Sequence, residues 1–144
     1  MKRVFLICTI LILICFLPFS AVAGDFDGSK TLLCCFTKIL ECVEYEDCQE
    51  RTPEQVNLPR FVDINFTEKK ISPSQGGEEA RKTDIERLEH IDGKLIIGGA
   101  EDGVEGVTDG FGWSMAISEQ TGRLALTVSG DQVGFIAFGA CTQK

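Results

Sequence analysis

Four carboxylates, Glu101, Asp102, Glu105 and Asp109, crowd one glycine-rich stretch over residues 98–112. Carboxylates grouped in this way can take up a divalent cation such as calcium, or draw in a cationic partner. The ligand order of an EF-hand is missing, so the pattern reads as a binding loop and not as a metal site. Its opening, Gly98-Gly99-Ala100-Glu101-Asp102-Gly103, spaces two glycines as a phosphate loop does. The Lys-Ser/Thr pair that must follow is replaced by Val104-Glu105, and acidic side chains repel phosphate, which argues against nucleotide binding. Nucleophilic catalysis needs a base within reach of a nucleophile. His90 is the only histidine, and it sits beside a turn. Gly112-Trp113-Ser114-Met115-Ala116 has the outline of a nucleophile elbow but lacks the final glycine and the strand-to-helix turn. The adjacent pair Cys34-Cys35 is not the C-x-x-C of a redox site. No catalytic residue, no cofactor and no metal are expected, and the chain reads as a non-enzyme.

The segments around these residues alternate as strands do. Trp113, Met115 and Ile117 share one face, with Ser114, Ala116 and Ser118 on the other. Leu124, Leu126 and Val128 repeat the pattern after a turn at residues 119–122, and an apolar strand over 133–138 follows a tight turn at Gly130-Asp131. Val62, Ile64 and Phe66 alternate with Asp63 and Asn65. Residues 31–43 form a further strand, 50–59 a loop with two prolines, and Ile71 opens a short returning strand. Residues 24–30 read as a loose lead-in and 72–79 as a mobile loop. Residues 80–91 pull two ways. Ile85, Leu88 and Ile91 recur every three residues, as in a helix, whereas Asp92-Gly93 is a hairpin turn that wants a strand on each side. The turn carries more weight, and strands are expected before and after it. The Asn65-Phe66-Thr67 triplet is a glycosylation sequon in a eukaryotic cell.

The first residues do not belong to this domain. Lys2 and Arg3 precede an apolar run over residues 4–19, and Ala21 and Ala23 offer small side chains for a cut after Ala23. That is the layout of a secretory signal peptide, and the run falls short of the roughly 20 residues that span a bilayer. The organisation expected is therefore a signal peptide over 1–23 and a single small β-domain over 24–144. Cleavage removes two of the 14 basic residues and none of the 22 acidic ones, taking the formal charge from −8 to −10. Such a chain repels nucleic acid and anionic membrane surfaces, and a basic protein or a small ligand is the easier partner. No second apolar run is present, so no membrane span remains after cleavage.

Export implies an oxidising compartment, periplasmic or extracellular, where cysteines pair. Two of the seven cysteines, Cys8 and Cys15, leave with the signal. Of the rest, Cys42 and Cys48 form a local clip, and Cys141 bridges one of Cys34 and Cys35. Cys34 is preferred, because it shares a face with Phe36 and Leu40. One thiol is left over. The fold class expected is all-β and mainly antiparallel: a small disulfide-tied meander barrel or sandwich of about 7–8 strands. In size, export, meander and terminal cysteines the chain resembles small disulfide-tied periplasmic β-barrels, among them lysozyme inhibitors and lipocalin-like carriers. That resemblance rests on outline and carries over no residue role. Function is accordingly expected to be non-enzymatic binding or a structural role, carrier-like or inhibitor-like; a secreted hydrolase of unrecognised type is the alternative.

Overall fold

The computed structural model describes residues 25–75, 82–103 and 106–144. The expected signal peptide lies outside them, as do residues 76–79 of the expected 72–79 loop and Glu105. The chain forms strands β1 (Leu32–Val43), β2 (Gln49–Arg51), β3 (Phe61–Asn65), β4 (Lys70–Pro73), β5 (Thr83–Asp84), β6 (Arg87–Ile91), β7 (Lys94–Glu101), β8 (Phe111–Ser118), β9 (Arg123–Ser129) and β10 (Val133–Gln143). Nine of them follow one another in a single antiparallel sheet, in the order β5-β4-β3-β1-β10-β9-β8-β7-β6, and β2 pairs with β1 off that path. The fold is all-β and antiparallel as expected, with the β8–β9–β10 meander in place, but the strand count exceeds the expected 7–8. Short polar strands account for the difference. β2 reads Gln-Glu-Arg and has no apolar alternation to betray it. The 80–91 stretch also divides in two.

The two ends of the sheet meet through one continuous stretch. Thr83 and Asp84 pair with β4, Ile85 N–H donates to the Lys69 carbonyl at 2.8 Å, Glu86 N–H donates to the Gly98 carbonyl at 3.0 Å, and residues 87–91 pair with β7. The sheet therefore curls into a barrel-like wall, with Ile85 buried at the join. Leu88 and Ile91, which set the three-residue period, are exposed, so that period does not follow burial. The two-residue turn at Asp92-Gly93, with φ of 49° and 70°, decides the local structure.

Alternation fixes the inward face. Leu32, Cys34 and Phe36 point in, and a bulge between Phe36 and Lys38 then shifts the register. Two consecutive residues, Thr37 and Lys38, turn outward and Ile39 takes the next inward place. A bulge inserts one residue against its partner strand and breaks the two-residue period. Leu40, expected beside Cys34 on the core side, is displaced from it for that reason.

At one end the interior is filled solidly. Leu32 lies opposite Ile64, Leu95 opposite Ile117, and Ile117 opposite Leu124; all are buried. Fully burying each such side chain stabilises by about 1.5–3 kcal/mol. The lead-in is not loose. Phe26 N–H donates to the Glu119 carbonyl at 3.1 Å, the Gln143 amide donates to the Asp25 carbonyl, and Phe26 packs on the core. Its aromatic ring gives residues 25–30 an anchor that their polar neighbours conceal.

Both expected disulfides are formed. Cys34 and Cys141 are directly opposed on β1 and β10, Cys42 joins Cys48, and among the described residues Cys35 is the free thiol, half-buried on the outward face. The first bridge spans 107 residues, and closing a loop of that order contributes up to about 4.7 kcal/mol in the chain-entropy model. Two such bridges suit an oxidising, exported environment. Among the described residues no helix is long and apolar enough to cross a membrane, which says nothing of strands.

Candidate functional site

The other end of the interior is not filled. A cavity of about 700 Å³ opens there, walled by inward residues from β1, β3, β4, β8, β9 and β10. Its depth is set by Phe36, Ile39, Trp113, Met115, Leu126 and Ala137, each of which also belongs to the buried core. The same strands that meet in a solid layer at the closed end thus diverge around open space at this one. Smaller side chains help: Val62, Val128, Val133, Ala137 and Gly130 all border the space.

The mouth is built from three connections. The first is a 3₁₀ turn, Pro53–Val56. Thr52 caps it, its hydroxyl accepting from Gln55 N–H while the Gln55 side chain accepts from Thr52 N–H, and Pro53 supplies the preset φ of a first helical position. Val56 and Leu58 from this segment lie on the cavity rim. The Glu54 carboxyl beside them is held below the usual range, first by its own backbone N–H and then by the Arg60 guanidinium at 3.0 Å. The second connection is the β7–β8 loop, which contributes Thr108 and Asp109. The Asp109 carboxylate lies against the backbone of Gly103. The third is the β9–β10 turn at Asp131-Gln132, one residue later than the sequence implied, because Gly130 N–H donates to the Val133 carbonyl at 2.9 Å.

Trp113 dominates one wall and is only 8% exposed. It stands opposite Gly99 of β7. A Cβ at position 99 would come within 2.7 Å of the Asp84 carbonyl oxygen and 3.0 Å of Trp113 Cζ2, so the indole edge lies directly on the backbone of its neighbour. Glycine there lets the ring seat flat against the wall beside the join. The indole Nε1 is buried, with no hydrogen-bond partner among the described residues.

Among the described residues, the polar ones on the lining are Asn57, Ser72, Thr83, Thr108 and three carboxylates, Glu101, Asp109 and Asp131. Glu101, at the end of β7, is half-buried, and Asp109 and Asp131 are exposed at the rim. Of the four loop carboxylates singled out in the sequence, the structure therefore brings Glu101 and Asp109 to the cavity. Asp102 is exposed beside them and off the lining, and Glu105 is outside the described residues. Asp131 was missed because its setting reads as an ordinary turn.

Residues weighed for catalysis are elsewhere. His90 is on the exposed strand β6, with Nδ1 2.6 Å from Glu119 Oε1. Ser114 is on the face of β8 away from Trp113, and its carbonyl accepts from Thr127 Oγ1 at 3.3 Å. Asn65 Oδ1 accepts from Glu68 N–H at 3.1 Å and shapes the β3–β4 turn. Among the described residues no group of three or more His, Cys, Asp or Glu side chains is placed to hold a metal ion. No family model, curated protein or solved structure matches this chain.

Proposed function

We propose that this protein is an exported, non-enzymatic carrier that holds one small apolar molecule inside its curled sheet, in the periplasm or outside the cell. The observation behind the reading is the cavity of about 700 Å³ with an apolar wall. Small-molecule sites typically occupy about 300–1,000 Å³ and combine apolar lining with a few polar groups, as here. Rigidity supports it as well: the Cys34–Cys141 bridge crosses the β1–β10 seam next to Phe36, so the site stands preformed and little ordering opposes binding. The hydrolase alternative has less behind it, because neither His90 nor Ser114 lines the cavity.

Trp113 is the only tryptophan and lies on the cavity wall, so its emission reports occupancy without a label. Titrating the purified protein with N-phenyl-1-naphthylamine, a neutral apolar fluorophore, should quench Trp113 and enhance probe emission in a saturable curve. Linear, non-saturating changes would overturn the proposal.

A further inference from the structure

Resting on that carrier reading, we infer that the ligand carries a flat aromatic ring system, seated over Val128 between Trp113 and Phe135. The pairing of the last three strands puts these residues in one row. Trp113 of β8 lies directly opposite Val128 of β9, and Val128 lies directly opposite Phe135 of β10. Residues opposed in this way share a face of the sheet, and all three line the cavity. A short aliphatic side chain thus stands between two aromatic ones and borders open space.

The spacing suits one inserted ring. Neighbouring strands lie about 4.8 Å apart, so Trp113 and Phe135 leave the backbone about 9–10 Å from each other. A ring over Val128 then stands about 5 Å from each, within the roughly 4.5–7 Å over which aromatic rings attract in offset or edge-to-face arrangements. Gly99 helps to keep the place clear. It lies on the far side of β8 from Val128, and the indole edge rests on it. The neighbouring row, Met115, Leu126 and Ala137, extends the slot inward. Ala137 follows Phe135 on the same face and leaves depth for a second fused ring, and the Met115 sulfur favours an aromatic edge. A saturated ring of equal size buries comparable apolar area but offers neither wall a π face. Aromatic character, and not hydrophobicity alone, therefore sets affinity.

Two probes isolate that character. 2-Naphthol and decahydro-2-naphthol share one carbon skeleton and one hydroxyl, both are uncharged near neutrality, and only the first is flat and aromatic. Calorimetric titration into the purified protein should give about tenfold tighter binding of 2-naphthol, the scale of two aromatic contacts. Phe135→Leu should cut that preference to about threefold, the scale of one contact, with the affinity for the saturated alcohol unchanged within about twofold. Phe138→Leu is the control: it is exposed on the outward face of the same strand and should change neither affinity. If Phe135→Leu does not fold, Val128→Phe, which puts a ring into the slot, takes its place and should abolish the preference. Equal affinity for the two alcohols, tighter binding of the saturated one, or a preference untouched by the slot variant would overturn the inference and leave the carrier reading standing. Binding of neither alcohol would also overturn it, and if N-phenyl-1-naphthylamine fails as well, the carrier reading falls with it.

Discussion

Replacing Gly139 with alanine strikes the seam that joins the first and last long strands. Gly139 lies opposite Phe36, at the bulge in β1. A Cβ at that position would stand 2.0 Å from the Cys35 carbonyl oxygen, 3.0 Å from the Cys35 carbonyl carbon and 3.2 Å from Phe36 Cα. All three are backbone atoms, so no side chain can swing away. Bringing the shortest contact to an ordinary 3.4 Å means moving the two strands apart, and the Cys34–Cys141 bridge two residues along opposes that movement. Overpacking of this kind costs about 1–3 kcal/mol, and loosening one ladder hydrogen bond adds about 0.5–1.5 kcal/mol. The sum, about 1.5–4.5 kcal/mol, is a large share of the roughly 5–15 kcal/mol that holds a domain together. At about 4 °C per kcal/mol for a domain of this size, Tm should fall by roughly 6–18 °C. Thermal unfolding followed by circular dichroism under non-reducing conditions measures it. Gly112→Ala is the control, since a Cβ there meets nothing within 4 Å. A Gly139→Ala shift no larger than the control's would refute the close approach and, with it, the register at the bulge.

Further expectations concern the bridges, the wall and the mouth. Without reductant, thiol labelling should find one reactive cysteine in the described domain, Cys35, and peptide mapping should recover the Cys34–Cys141 and Cys42–Cys48 links; labelling at all five positions would contradict the pairing. Trp113→Ala should cost about 3 kcal/mol, the low end for a buried tryptophan, because one side of the ring already borders open space; an unchanged Tm would place the ring outside the core. The depressed Glu54 carboxyl stabilises the folded form at neutral pH, and that contribution is lost as pH falls through its lowered value. Glu54→Gln should therefore lower Tm at neutral pH and converge with the parent in acid; a constant difference at all pH values would show that the charge is irrelevant.

Much of the wall was legible in the sequence. Trp113, Met115 and Ile117 alternate against small residues, Leu124 and Leu126 repeat the pattern, and half-buried strands leave that signature because one face meets the interior. Paired cysteines follow from the same logic, since Cys34 shares the inward side with Phe36. What could not be read was the interior volume. Alternation says which side chains point inward, but whether they meet depends on how the strands diverge, and the long-range pairings of β1 with β10 and of residues 83–91 with both sheet ends fix that. Leu40 was misplaced because a bulge carries no sequence period. Phe26 was overlooked because one aromatic residue among polar neighbours has no pattern at all. The acidic loop was recognisable as a charged connection, but only the fold sets Glu101 and Asp109 beside Asp131 at one opening.

Filling the cavity tests its role most directly. Ala137 is 2% exposed, points inward from β10 between Ile39 of β1 and Leu126 of β9, and borders the space, so Ala137→Phe would direct its ring into it. Calorimetric titration of N-phenyl-1-naphthylamine into the parent protein should show one site, with the negative heat-capacity change of apolar burial. Ala137→Phe should keep its Tm and abolish that binding. Equal binding by a well-folded Ala137→Phe protein would contradict it.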